Sequence, residues 1–247
     1  MELHQMLRFR FSRQSMPWAV LFLVALLTLA GCAAPVQRQA KELRRDPGKL
    51  PTVVVMPLDV ELAELSAGGL HEPKSEWTDA ALKHMRAALE AEARNYKVRL
   101  IDYESQRGTP ENQSISLELL RLHRAVGSAV LVHQYIPGQQ LPNKEGKFDW
   151  SLGPEVAAIA QTHAADYALF LFVRDSYASA GRVGVMVVAA LLGVGVPGGA
   201  QIGFASLVDL RTGDIVWFNR LARAHGDLRT PEAAAETIRE LVSDSLK

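Results

Sequence analysis

Residues 183–196 read VGVMVVAALLGVGV, fourteen positions without one polar side chain, followed by Pro197, Gly198 and Gly199. No other stretch of the chain restricts its fold so strongly. The run is shorter than the roughly 20 apolar residues that a membrane-spanning helix needs. It also lacks the polar face with which an ordinary surface helix meets water. It must be covered by the protein's own core, by another subunit, or by lipid. Val183, Val187, Val188, Leu191, Leu192, Val194 and Val196 are the side chains through which such a contact would be made. Gly181, Gly184, Gly193 and Gly195 would let a neighbouring backbone approach closely, as small residues do at helix contacts in lipid.

The rest of the chain alternates strand and helix signals. Thr52-Val53-Val54-Val55-Met56, ending at Pro57, is a β-branched run suited to a strand buried on both faces, and is expected to be central. Residues 61–76, with Gly68, Gly69 and Pro73, read as a loop, and residues 77–96 place Ala81, Met85, Ala88, Leu89 and Ala93 at helical spacing. Residues 97–102 alternate as a strand. Ser114 and Ser116 offer caps for a helix from about Leu117 towards Gln134, which Gly127 weakens; a strand over 129–135 is the rival reading. Residues 137–150 form a long loop of a length that often accompanies binding. A short helix follows Pro154, and residues 167–173 (YALFLFV) are a strong strand. Residues 201–210 and 215–221 flank the turn Arg211-Thr212-Gly213-Asp214 as a hairpin. Thr230 and Pro231 open a C-terminal helix with Ala235, Ile238, Leu241 and Val242 inward. The expected fold is α/β: a single domain, residues 51–247, with a mixed sheet flanked by helices, ending in a β-hairpin and a C-terminal helix.

Upstream of that domain the chain reads as an address. Arg8, Arg10 and Arg13 precede about fifteen apolar residues and then Leu29-Ala30-Gly31-Cys32, the order of charge, apolar core and small residues found in a secretory signal. Cys32 is the chain's one cysteine, and the sequence around it resembles the lipobox of bacterial lipoproteins. The resemblance implies cleavage after Gly31, acylation of the Cys32 thiol with palmitate-like chains, and a lipid-anchored mature protein. Residues 1–31 are then the signal peptide, and residues 32–50, polar and carrying Pro35, Pro47 and Gly48, a flexible tether. A mature domain without a second cysteine has no disulfide and no cysteine-bound metal.

No chemistry stands out against this background. Lys+Arg and Asp+Glu both total 27, and no long basic face survives the leader, which argues against a nucleic-acid partner. Gly193-Val194-Gly195-Val196-Pro197-Gly198 matches the dinucleotide fingerprint in letters, but a strand rather than a helix is expected after it. Of seven histidines, His4 lies in the leader, and His71, His84, His123, His133, His163 and His225 are scattered without a zinc-hydrolase spacing. Asp102, Asp166 and Asp175 stand at expected strand ends, where α/β sheets place functional groups and where turns also favour aspartate. No cofactor and no metal is expected.

Ala165-Asp166-Tyr167-Ala168-Leu169-Phe170 at a helix-to-strand junction, and residues 206–217 (SLVDLRTGDIVW) at a strand-turn-strand, carry a wider likeness. With the opening strand and the lipobox, the chain resembles the envelope lipoproteins related to the curli-secretion channel subunit, a group that includes lipoprotein activators of peptidoglycan synthases. The resemblance implies a compact α/β domain without enzymatic activity, anchored at the periplasmic face of the outer membrane and working by protein–protein contact or ring assembly. Ala33, in place of the aspartate that commonly retains lipoproteins at the inner membrane, fits that sorting. The chain departs from a channel subunit in lacking long alternating membrane hairpins. Its expected partners are the membrane, through lipid, and another envelope protein or further copies of itself. An envelope hydrolase in which His133, Asp175 and Asp102 converge, or a carrier of an apolar ligand lined by 183–204, are the competing expectations.

Overall fold

The computed structural model describes residues 37–39, 48–96, 98–224 and 226–243. The signal peptide, its cleavage residues Leu29, Ala30 and Gly31, and Cys32 itself lie outside the described residues, as does His225. Within them runs one mixed sheet of eight strands: β1 (Gln37–Gln39), β2 (Thr52–Val55), β3 (Asp59–Leu65), β4 (His71–Pro73), β5 (Arg99–Asp102), β6 (Tyr167–Ala178), β7 (Gln201–Asp209) and β8 (Ile215–Arg223). The main order is β1-β8-β7-β6-β2-β5, with β3 and β4 branching from β6.

The sheet is organised by β6 rather than by the opening strand. Its twelve residues serve two short parallel strands end to end, β2 opposite Tyr167–Leu169 and β3 opposite Phe172–Ala178. Pro57 separates the two because it has no amide to give to the ladder. The segment read as a loop therefore contains β3 and β4, with Gly68 and Gly69 turning the chain between them. β3 alternates only from Val60 to Leu62, with Glu61 exposed between them, because Ala63 and Leu65 beyond are buried as well, and the glycines and Pro73 nearby read as loop.

Two helical layers cover the sheet. On one face α1 (Ser75–Ala93) and α5 (Pro231–Val242) pack Ala81, Met85, Leu89, Ile238 and Leu241 against Leu169, Leu171 and Val173. Helix α5 buries Ile238, Leu241 and Val242 as expected, together with Ala234 and Thr237, while the expected Ala235 is half-buried. On the other face α2 (Pro110–Tyr135) and α3 (Ala157–His163) cover Val54, Met56, Phe170, Phe204 and Phe218. Helix α2 starts a full two turns before the expected Leu117. Thr109 caps it, its Oγ1 accepting from the Asn112 amide at 3.2 Å, and Pro110 supplies the first helical position. The rival strand over 129–135 is helix. Gly127 persists in it because α2 crosses the Phe204 ring there: a Cβ would lie 2.0 Å from Phe204 Cε2.

The N-terminal stretch expected to be a free tether contributes β1, paired antiparallel with β8 in the register Gln37↔Asn219, Arg38↔Phe218, Gln39↔Trp217. The expected hairpin stands as β7 and β8.

Candidate functional site

The hairpin between β6 and β7 does not turn tightly. After Ala178 the chain enters α4 (Ala180–Leu191) and returns through residues 192–200 before β7 begins at Gln201. Ser179 caps α4 through its Oγ, which accepts from the Arg182 amide at 3.1 Å, and its own amide donates to the Leu65 carbonyl at 3.0 Å. At the far end Gly193, at φ +75°, reverses the chain; its amide donates to Ala190 O and that of Val194 to Ala189 O. On the way back Gly198 passes Met186, whose Cε would lie 2.8 Å from a Cβ there, and Arg182 Nε donates to Pro197 O at 3.1 Å.

This excursion holds the segment 183–196, and it is not core. No residue of α4 is buried. Leu191 is 82% and Leu192 75% exposed, and Val183, Val185, Val187, Val188 and Val194 are also largely in water; Val196 is half-buried. Only Arg182, Met186 and Ala189 among the helical residues face partly inward. Of the three covers open to the segment, the fold's own core is ruled out, because both faces of the sheet are already occupied by α1, α5, α2 and α3. The dinucleotide-like string 193–198 forms the tip and the return, leading into a strand and not into a helix.

Beneath α4 lies a buried polar network on the α1 and α5 side of the sheet. Asp175 Oδ2 accepts from the Tyr177 hydroxyl, from Gln201 Nε2 at 2.9 Å and from the Leu228 amide at 3.3 Å, while Thr237 Oγ1 donates to Gln201 Oε1 at 3.0 Å. Asp175 Oδ1 is buried without a hydrogen-bond partner among the described residues. Burial raises the Asp175 carboxyl above its ordinary value and also raises the Tyr177 hydroxyl. Arg229, paired with Asp227 at 2.7 Å, stacks its guanidinium over Tyr177 and Trp77. These bonds fasten β6, β7, the segment before α5 and α5 itself at the root of the excursion.

The other candidate residues do not converge. Asp102 is exposed at the end of β5 and pairs with Arg86 of α1. Asp166 accepts from the Thr52 amide at 2.9 Å, with Lys49 at 3.5 Å, at the opposite end of β6 from Asp175. His133, on α2 across the sheet from Asp175, contacts Gln139 O at 2.6 Å and stacks on Trp150. His123 is buried between Phe170 and Phe204, 2.9 Å from Ser206 Oγ, and burial lowers it to about 3. His163 Nε2 accepts from the Glu104 amide, and His71 and His84 lie apart on β4 and α1. Among the described residues no three His, Cys, Asp or Glu side chains are grouped to hold a metal.

The chain's relatives add little to this geometry. No family model matches it, and no curated protein does. Among solved structures, the PelC dodecamer from Paraburkholderia phytofirmans is 15% identical over 84% of this chain and 94% of its own, with a TM-score of 0.35. The LpoB C-terminal domain from Salmonella enterica is 16% identical over 72% and 86%, with a TM-score of 0.26. A lipoprotein from Neisseria meningitidis is 12% identical over 70% and 81%, with a TM-score of 0.29. Superpositions this loose carry no residue correspondence onto this chain.

A cleft of about 370 Å³ opens on the sheet beside α4, lined by Glu61, Ala63, His71, Arg174, Ser176 and Ile202 among others. It is open to solvent, and from the segment 183–204 it takes Ala200 and Ile202 but no residue of α4, unlike the closed cavity that a carrier lined by that segment needs.

Proposed function

We propose that this is a lipid-anchored protein of the bacterial cell envelope, held through Cys32 at the periplasmic face of the outer membrane, whose non-catalytic α/β domain works by contact with other envelope proteins or further copies of itself. The observation that carries this reading is that the fold places its fourteen-residue run without a polar side chain outside its own core. A large aliphatic side chain gains about 1.5–3 kcal/mol on leaving water. The exposed valines and leucines of 183–196 therefore offer on the order of 10 kcal/mol to whatever covers them, before the costs of association. The lipobox supports the address. The separate placement of Asp102 at the end of β5, His133 on α2 and Asp175 on the opposite face of the sheet favours this reading over a hydrolase. Further exposed apolar side chains, Leu117 and Leu122 on α2 and Ile136 just past its end, and the 137–150 loop beside it, offer the domain a second surface for protein contact.

The test is the intact mass of protein extracted in detergent from its native membrane, with size analysis beside it. The expected result is the mass of residues 32–247 plus acyl chains, in a particle larger than one chain. An unmodified chain at monomer size overturns the reading.

A further inference from the structure

We infer that the apolar excursion 183–196 is covered by the membrane: it enters the leaflet that holds the lipid on Cys32. The inference rests on the proposed acylation, and the sheet register carries it. Strand β6 ends at Ala178, where α4 begins; β7 starts from the same end, at Gln201 opposite Asp175; and β8 finishes there, at Arg223 opposite Gln201. Because β1 is antiparallel to β8, with Gln37 opposite Asn219 and Gln39 opposite Trp217, the N-terminal end of β1 lies towards the Arg223 end of β8. Five residue steps lead from Gln37 back to Cys32, a reach of at most ~18 Å. Asn219 to Arg223 takes up about 13 Å of that at ~3.3 Å per residue. The pairing of β1 thus leaves a lipidated Cys32 a tether too short to stray far from β8 and long enough to reach the end of the sheet from which α4 projects. It removes the slack that a free tether of nineteen residues would have left.

The chemistry of the excursion fits a leaflet. Beyond Arg182 there is no polar side chain until Gln201. Arg182 and Ser179 sit at its root, where headgroups would lie. A twelve-residue helix is about 18 Å long, against ~15 Å for one leaflet of a hydrocarbon core of roughly 30 Å; among the described residues no helix is long and apolar enough to cross a membrane. Unpaired backbone groups are excluded from hydrocarbon; at the tip the carbonyls of Ala189 and Ala190 accept from Leu192, Gly193 and Val194, so α4 and its tip are the part that enters, and the irregular return after Val194 stays at the interface. Leu70 is also exposed at this end, in the turn after β3, whose last residue pairs with Ala178.

Acylation leaves no free thiol, so a single introduced cysteine reports on its own site. Full-length Leu191→Cys and Arg211→Cys, the latter in the β7–β8 turn at the opposite end, are extracted, labelled with an environment-sensitive fluorophore and reconstituted into phosphatidylcholine vesicles. A fraction of the lipids carries nitroxides on the acyl chains. The expected result is blue-shifted emission with nitroxide quenching at 191 and neither at 211. Intact mass on the same samples reads acylation separately, since an unacylated Cys32 would take up a second label. Acylated protein without quenching at 191 overturns this inference and leaves the anchor standing. Quenching at 191 on a Cys32→Ser background supports the membrane contact even where the mass disproves the anchor. Equal quenching at both sites, or quenching at 191 only by nitroxides attached to a second copy of the chain, overturns the membrane contact.

Discussion

At the scale of single residues, burial decides what the polar groups do. His123 is held neutral between two phenylalanine rings with its proton affinity lowered to about 3. A histidine whose folded value is below its unfolded value of about 6.5 binds more protons when unfolded, so stability falls as pH drops from 6.5 towards 3, by up to about 1.4 kcal/mol per unit from this group. His123→Gln, which can still reach Ser206, is expected to flatten that acid limb in urea titrations at successive pH values. Asp175 acts in the opposite sense. Its carboxyl is raised by burial, so the native state holds the proton more tightly, and this group's contribution falls as pH rises from the ordinary carboxylate value to the raised one. Asp175→Asn should remove that falling segment. Gly127→Ala sets two effects against each other: alanine adds about 1 kcal/mol of helix propensity, but overpacking costs typically 1–3 kcal/mol. The Phe204 ring in its way is stacked on Phe172 and Phe218 and has little room to turn. A lower urea midpoint is expected.

At the scale of elements, α4 and β6 are both apolar and have opposite relations to the core. Val187→Lys with Leu191→Lys alters exposed positions and should leave the unfolding free energy within about 0.5 kcal/mol. Leu171→Ala on β6 should cost about 2–5 kcal/mol. If the paired lysines in α4 unfold the domain, the helix is structural and its proposed contact role fails. The element boundaries show why the sequence is legible in some places and opaque in others. Strands β6, β7 and β8 announce themselves through long apolar or alternating runs, and α5 through Thr230 and Pro231. Strands β3 and β4 were hidden because their neighbours Gly68, Gly69 and Pro73 are loop-formers whichever structure flanks them. The start of α2 was hidden because Thr109-Pro110 inside a polar stretch reads equally well as a turn.

At the scale of the whole domain, the sheet's edges matter most. β8 would be an open, apolar-sided edge were β1 not paired with it, and open edges template association. Replacing both Arg38 and Gln39 with proline removes at least one amide facing β8, since successive amides alternate in direction. Concentration-dependent light scattering should rise while helix content by circular dichroism stays constant. Unchanged scattering would mean that β1 contributes nothing to edge protection.

The α/β class, the hairpin, the C-terminal helix and the demand that 183–196 be covered by something were all determined by the sequence itself, because they follow from local periodicity, turn chemistry and the absence of polar side chains. Three facts were decided by tertiary structure alone: that β6 serves two strands in line, that α4 lies outside a core already filled from both faces, and that β1 pairs with β8. The first and the third depend on strand partners more than a hundred residues apart, and the second on helices from both ends of the domain filling the two faces of the sheet. Side-chain pattern along a strand says which faces are buried, but the choice of neighbour is made by register and packing in space.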